Sequence, residues 1–241
     1  MDLYIVMAIE VIISAVLSVE SYKLHCLTKD GALASFLIGA LLALTGSVNA
    51  FFILTLFVIV SFFATMRDID KKLAMGLQEG QFGERGWKNV AAVGFPPVLF
   101  TVINFLQPMD ETLYIIMFLT SIVVGGADTI ASEIGIKDPH PVMITTLKPV
   151  EPGVNGGVSK LGTAVSTVAA FGIAVIGWLV MTESLDWLLL IPFAFGVLGN
   201  FLDSLFGALF ENRGWISKYT NNWSTELIAA LLAGGFWMLI C

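Results

Sequence analysis

This sequence is short of charge. Asp, Glu, Lys and Arg make up 13% of its 241 residues, about half of the roughly 25% found in a soluble domain. The twelve Lys and Arg are scattered through short segments and form no basic stripe, which excludes nucleic acid as an expected partner. Cysteine is scarcer still. Cys26 and Cys241 are too few and too far apart for a disulfide framework or a zinc site. The two histidines, His25 and His140, lack ligand spacing and read as surface residues. Several catalytic signatures are absent: a phosphate-loop lysine, a protein-kinase motif set and a Gly-x-Ser-x-Gly elbow. The first apolar run has no basic start and carries Glu10, so it reads as a span rather than a cleaved leader. Glu10 itself is given no role.

What is there is apolar. Hydrophobic residues make up 57% of the chain, and the mean hydropathy is +0.87. A water-soluble fold could not hide that much apolar surface. A helix needs about 20 mainly apolar residues to cross the hydrocarbon core. Eight segments qualify: Leu3–Val19, Gly31–Leu44, Ala50–Met66, Asn89–Leu106, Leu113–Ile134, Val158–Met181, Trp187–Phe210 and Thr225–Ile240. The expected fold class is all-α, a polytopic transmembrane helix bundle of about eight spans with internal repeats. Residues 1–241 are read as a single integral membrane domain.

The net charge of −7 matters less here than where the charges fall. Lys23 and Lys29 lie between spans one and two. Arg67, Lys71, Lys72, Arg85 and Lys88 lie between three and four. Lys137 and Lys148 lie between five and six, with Lys160 at the edge of six, and Arg213 and Lys218 lie between seven and eight. The other connections and both chain ends hold no basic residue. With eight spans, every basic residue falls on one side. The positive-inside rule then puts these four segments in the cytoplasm and both termini outside. The segment Arg67–Lys88 is the longest, with a short interfacial amphipathic helix expected near Asp68–Leu77. The segment Ile136–Gly157, rich in proline and glycine, is expected to be irregular.

The polar residues inside the apolar runs form a pattern. Span five ends Gly125-Gly126-Ala127-Asp128-Thr129, and span seven ends Gly199-Asn200-Phe201-Leu202-Asp203-Ser204. Both have a glycine shortly before an Asp and a hydroxyl residue after it, and both run toward the same side, as an internal repeat would. An Asp in an apolar helix costs roughly 2.5–3.5 kcal/mol near the bilayer centre unless it is paired or hydrated. Either Asp alone is explained as well by capping or a salt bridge. The repeated pair favours a shared cation, and carboxylates with hydroxyl and water oxygens suit Mg²⁺, which takes substrate phosphates as further ligands.

The segment Lys148–Lys160 reads Lys-Pro-Val-Glu-Pro-Gly-Val-Asn-Gly-Gly-Val-Ser-Lys. Its glycines and the start of span six place backbone N–H groups beside Lys148 and Lys160, a pattern suited to phosphate. Glu151, Asn155, Gly156, Gly157 and Ser159 belong to the same candidate site. Glycine and proline also make ordinary turns. Thr28-Lys29-Asp30-Gly31 opens span two similarly, and Asn222 lies in the polar start of span eight. Arg85 and Lys88 read equally as a phosphate clamp or as a membrane-edge anchor beside Trp87.

Three of these segments, Gly126–Gly135, Lys148–Ser159 and Leu202–Ala208, together resemble the family of transmembrane protein 19 and the plant phytyl-phosphate kinase of vitamin E synthesis. Asp30–Gly39 is similar to that family's N-terminal motif. The pattern Asp-Thr-x-Ala followed by Lys-x-x-Glu is also similar to phytol and dolichol kinases, which use CTP. The resemblance implies phosphoryl transfer from a nucleoside triphosphate, with CTP favoured, to an isoprenyl monophosphate. It implies that Asp128 and Asp203 hold Mg²⁺, that Glu133 supports them or adds a ligand, and that Lys148 and the amides of Asn155–Gly157 hold phosphates. The expected partners are the lipid phosphate, the nucleotide and membrane lipids, with a homo-oligomer left open. Two rivals stand beside the kinase. A CTP-dependent cytidylyltransferase would use the same parts and release pyrophosphate. An ion-coupled transporter would use the buried aspartates, although the motifs crowd one face rather than the midplane.

Overall fold

The computed structural model describes residues 2–67, 80 and 83–241. The amphipathic helix expected near Asp68–Leu77 lies outside them. Among the described residues are eight α-helices: α1 Leu3–Lys23, α2 Lys29–Thr45, α3 Val48–Arg67, α4 Trp87–Leu106, α5 Glu111–Gly135, α6 Lys160–Thr182, α7 Leu190–Phe206 and α8 Lys218–Ile240. They correspond one to one with the eight apolar segments. Six of them, α7 being counted with its flanking turns, are long and apolar enough to cross a membrane, while α2 and the apolar stretch Val48–Ala64 of α3 are shorter.

Five of these helices start where a capping side chain precedes the helix. Asp2, Thr28, Asp110, Ser159 and Ser217 accept hydrogen bonds from backbone N–H groups in the first turns of α1, α2, α5, α6 and α8, satisfying donors that a helix leaves open. Two starts differ from the apolar boundaries. Val158 belongs to a two-residue strand, β2 Gly157–Val158, paired antiparallel with β1 Val142–Met143, so α6 begins at Lys160. Helix α8 begins at Lys218, seven residues before Thr225. Its polar first turns are helical because Ser217 caps them, and apolarity alone does not mark that start.

The chain forms two compact units, Met1–Met109 and Asp110–Cys241. In the first, α2 packs against α1, α3 and α4. Helix α1 is inside out. Glu10, Ser14 and Ser18, four residues apart on one face, are buried, while Ile5, Ile9, Ile12 and Val16 are exposed. Such a helix sheds its apolar side chains to lipid. Pro96 and Pro97 lie inside α4. They remove the ladder donors to the Ala92 and Val93 carbonyls, and one turn on the Thr101 hydroxyl donates to the Pro97 carbonyl at 2.9 Å.

In the second unit α5 is the central helix and packs against α6, α7 and α8. Of its most apolar stretch 78% is buried, against 17% for α1, so α5 is a core element rather than a lipid-facing one. Close packing depends on small residues. Val123 and Ala127 of α5 meet Ala170 and Ala174 of α6, and a Cβ on Gly196 or Gly199 of α7 would stand 2.1 or 2.4 Å from Val123 or Val124.

Candidate functional site

The repeated aspartates fall in the second unit, on α5 and α7. Asp128 and Asp203 are partly buried and lie within electrostatic reach of each other. Helix α8 runs beside them and adds three polar side chains. The Thr225 hydroxyl donates to Asp203 Oδ1 at 3.3 Å. Asn221 Nδ2 donates to the Asp203 carbonyl at 3.0 Å and to Glu211 Oε2 at 3.4 Å. Glu226 is 1% exposed, neither carboxylate oxygen has a hydrogen-bond partner, and it feels the charges of Asp128 and Asp203. Asn221 Oδ1 is also buried without a partner.

Glu211 joins the cluster through a change of helix pitch. After α7 the chain makes one π-helical turn, Gly207–Glu211; such turns recur at functional sites. The segment Lys148–Ser159 is fastened to this turn. Asn155 Nδ2 donates to Glu211 Oε1 at 2.8 Å, and Asn212 Nδ2 donates to the Asn155 carbonyl at 2.8 Å. Gly156 has φ +77°, and a Cβ there would come within 2.5 Å of Ala208 Cβ. Glycine is required on both counts. Lys218 adds positive charge near Asp203 and Glu211. The result is an oxygen-rich cluster of Asp128, Asp203, Glu211 and Glu226 where α5, α7 and α8 meet the loop.

The sequence-derived candidates divide around this cluster. Asp128, Asp203 and Asn155 are in it or bonded to it, Gly156 packs on the turn that carries Glu211, and Gly157 pairs in β2. Glu133 is buried on α5, five residues beyond Asp128. Lys148, Glu151 and Lys160 are exposed. The Ser159 hydroxyl accepts from the Gly162 N–H at 3.0 Å and is hydrogen-bonded to Asp138. Asp138 accepts from the His140 N–H at 3.0 Å and the Leu161 N–H at 3.3 Å. These two bonds, the His140 one foremost, hold the Asp138 carboxyl below the usual range and already supply acceptors at the start of α6. Asn222 gives its carbonyl to Thr225, and the neighbouring Asn221 is the one whose side chain enters the cluster. Glu211, Asn221 and Glu226 were the residues that sequence reasoning left without a role. A Glu within an apolar helix was the available signal for Glu226.

Lys29, Arg85 and Lys88 lie in the first unit. There the chain joins two segments far apart in sequence. Thr28 N–H donates to the Arg85 carbonyl at 3.2 Å, and Arg85 N–H donates to the Cys26 carbonyl at 3.0 Å. A Cβ on Gly31 would stand 2.3 Å from the Arg85 carbonyl oxygen, so α2 starts in direct backbone contact with Arg85. Lys29 and Lys88 are exposed.

A family model described as integral membrane protein DUF92 matches residues 12–234. The chain belongs to this family. An uncharacterized membrane protein of Methanocaldococcus jannaschii is 31% identical over 241 residues, covering 100% of this chain and 96% of the relative. Protein PGR of Arabidopsis thaliana is 30% identical over 230 residues, covering 86% and 80%. The chloroplastic protein VTE6 of the same plant is 27% identical over 155 residues, covering 63% of this chain and 46% of that one. No solved structure matches. The protein is therefore a polytopic integral membrane protein of the DUF92 family, and the motifs that resemble the phytyl-phosphate kinase family lie inside the matched residues.

Proposed function

We propose that the protein is a membrane phosphotransferase that moves the terminal phosphoryl group of a nucleoside triphosphate, CTP by resemblance, onto an isoprenyl monophosphate to give the diphosphate. The observation that carries this reading is the convergence of Asp128, Asp203, Glu211 and Glu226, with Glu226 buried and both of its oxygens unpartnered. Carboxylates gathered in an apolar bundle call for a cation. The donors are all oxygen, which suits a hard divalent ion. Among the described residues no three His, Cys, Asp or Glu are placed to cage a metal by themselves. Mg²⁺ fits that arrangement, since it commonly takes one or two carboxylates and completes its shell with water and substrate phosphates.

Asp128 and Asp203 would hold the ion, with Glu226 as the nearest reserve of negative charge. Bound there, Mg²⁺ would neutralise charge on the transferring phosphate. Thr225 and Asn221 hold Asp203 and its backbone in place. Asn155 ties the glycine-rich segment to Glu211, setting the backbone of Asn155 and Gly156 against the turn that carries Glu211. In the reaction an oxygen of the lipid phosphate bonds to the γ-phosphorus, the bridge to the β-phosphate breaks, and the nucleoside diphosphate leaves. Little covalent chemistry is asked of the protein beyond alignment and charge neutralisation. The distribution of Lys and Arg supports a cytoplasmic position for this end, with both termini outside. Cysteines introduced at Thr146 and Ser184 would then react with impermeant reagents from opposite sides.

The decisive experiment incubates purified protein with Mg²⁺, an isoprenyl monophosphate and CTP labelled at either the γ- or the α-phosphate. Transfer of the γ-label to lipid is expected. Transfer of the α-label would establish a cytidylyltransferase instead, and transfer of neither would remove enzymatic phosphoryl chemistry.

A further inference from the structure

Helix α1 buries unexpected side chains for a helix that faces lipid. Of its most apolar stretch 17% is buried, yet Glu10, Ser14 and Ser18 are 6%, 6% and 4% exposed. Their spacing puts them on one face. Glu10 Oε1, Ser14 Oγ and Ser18 Oγ have no hydrogen-bond partner among the described residues. Buried polar atoms are nearly always paired with protein, water or an ion, so three in a row mark a place where something else binds. The face turns toward α2, since a Cβ on Gly39 would stand 2.5 Å from Ser14 Oγ. It also meets a cavity of about 150 Å³ in the first unit, lined by Ser14 and Gly39 together with Ser21, Ser35 and Thr55. The rest of the wall is mostly apolar, and the cavity extends to Cys26 and Arg85, at the end of the unit where its basic residues lie. That volume holds several waters beside the hydroxyls. Glu10 lies one helical turn beyond Ser14, away from that end.

No basic side chain of this unit's helices lies at the depth of Glu10. Apart from residues in their end turns, α1 to α4 hold no other Asp, Glu, Lys or Arg. Lys23 is in the last turn of α1 and pairs with Glu20 at 2.8 Å. We propose that Glu10 and Ser14 bind a monovalent alkali cation, sodium, which enters through the cavity and keeps water from it as further ligands. A single carboxylate is balanced by a single positive charge, whereas a divalent ion would leave net charge in an apolar span at high cost. Glu10 and Ser14 are helical neighbours, about 5–6 Å apart at Cβ, so one ion can bridge the carboxylate and the hydroxyl. Every group offered is an oxygen, which suits a hard cation. A proton would also neutralise Glu10, but it would act on the carboxyl alone; an ion gives the buried Ser14 hydroxyl a partner as well. This site is in the first unit and does not rest on the function proposed for the acidic cluster of the second.

The test uses the purified full chain in detergent, without nucleotide, in sodium chloride or in choline chloride of equal ionic strength. Dicyclohexylcarbodiimide, an apolar reagent that modifies protonated carboxyls within membrane spans, reports whether Glu10 is occupied, and mass spectrometry of peptides locates the adduct. Glu10 should be modified in choline chloride, and saturating Na⁺ should slow that modification by about tenfold or more. Na⁺ should also raise the melting temperature where choline does not. Ser14→Ala keeps the carboxylate, so its Glu10 should still be modified, with both sodium responses moved to several-fold higher concentration. Glu10→Gln should abolish the sodium-specific rise in melting temperature; if that variant does not fold, the wild type and Ser14→Ala decide. Equal modification rates in the two salts, or no sodium-specific rise in melting temperature in the wild type, would overturn the proposal. Protection by Mg²⁺ as strong as that by Na⁺, or sodium responses unchanged in Ser14→Ala, would also overturn it.

Discussion

The two units bury polar groups in opposite ways. In the first, the buried carboxylate Glu10 stands in line with two serines on a helix that faces mostly lipid, beside an apolar cavity. In the second, Glu226 lies beside Asp128 and Asp203, and Glu211 joins from a π-helical turn, around a tightly packed α5. Glu10 and Glu226 are both glutamates inside apolar helices, 6% and 1% exposed. Their surroundings differ: hydroxyls in one case, other carboxylates in the other. A lone buried carboxylate is readily neutralised by a proton, whereas a cluster of them favours a multivalent cation. The contrast shows that an intramembrane acid is a guide to chemistry only together with its neighbours.

The sharpest way to break this contrast is to remove charge from the cluster. Asp128→Asn and Asp203→Asn keep volume and most hydrogen bonding but lose the charge a hard cation needs. Each should lower turnover by at least about a hundredfold, with a melting temperature equal to or above that of the wild type. Specific activity measured beside thermal unfolding checks both halves. A second comparison exchanges the two glutamates. Glu226→Gln should raise the Mg²⁺ concentration needed for half-maximal activity by about tenfold or more, while Glu10→Gln leaves it unchanged; Mg²⁺ titrations of both variants read this directly.

Gly156→Ala addresses how the loop is fixed. A methyl group at φ +77°, 2.5 Å from Ala208 Cβ, should cost about 1–3 kcal/mol. It should also displace Asn155 from Glu211, so that melting temperature and activity fall together. The smallest effect is expected from Asp138→Asn. The folded-state pKa of Asp138 is lowered, so its contribution is present above the unfolded value of about 3.9 and is lost as pH falls through the folded value. Near neutral pH the variant should leave the loop slightly looser, and below about pH 4 the difference from wild type should fade, as unfolding curves at the two pH values would show.

Much of the fold was legible because a bilayer permits few solutions. Backbone groups in hydrocarbon must be satisfied within the segment, so long apolar runs become helices, and all eight appear where apolarity marks them. The starts of α6 and α8 were misplaced because capping by Ser159 and Ser217, rather than hydropathy, sets them. In the cluster, Asp128 and Asp203 could be read from their repeated setting. Glu211 could not. It lies eight residues after Asp203, about 80° around an ideal helix, and the π-helical turn alters that register. Asn221 lay beside the chosen Asn222, and periodicity alone does not say which of two adjacent amides faces inward. The joining of Cys26 and Thr28 to Arg85 is a backbone pairing between distant segments, for which side-chain patterns give no signal.

Whether the acidic cluster holds a metal that in turn holds nucleotide can be measured by calorimetric titration of a non-hydrolysable CTP analogue into purified protein, with and without Mg²⁺. Saturable binding that requires Mg²⁺ in the wild type and vanishes in the folded Asp128→Asn, Asp203→Asn double variant is the expected result. Binding of equal strength in the double variant, or binding indifferent to Mg²⁺, would contradict the assignment of these carboxylates to a metal–nucleotide site.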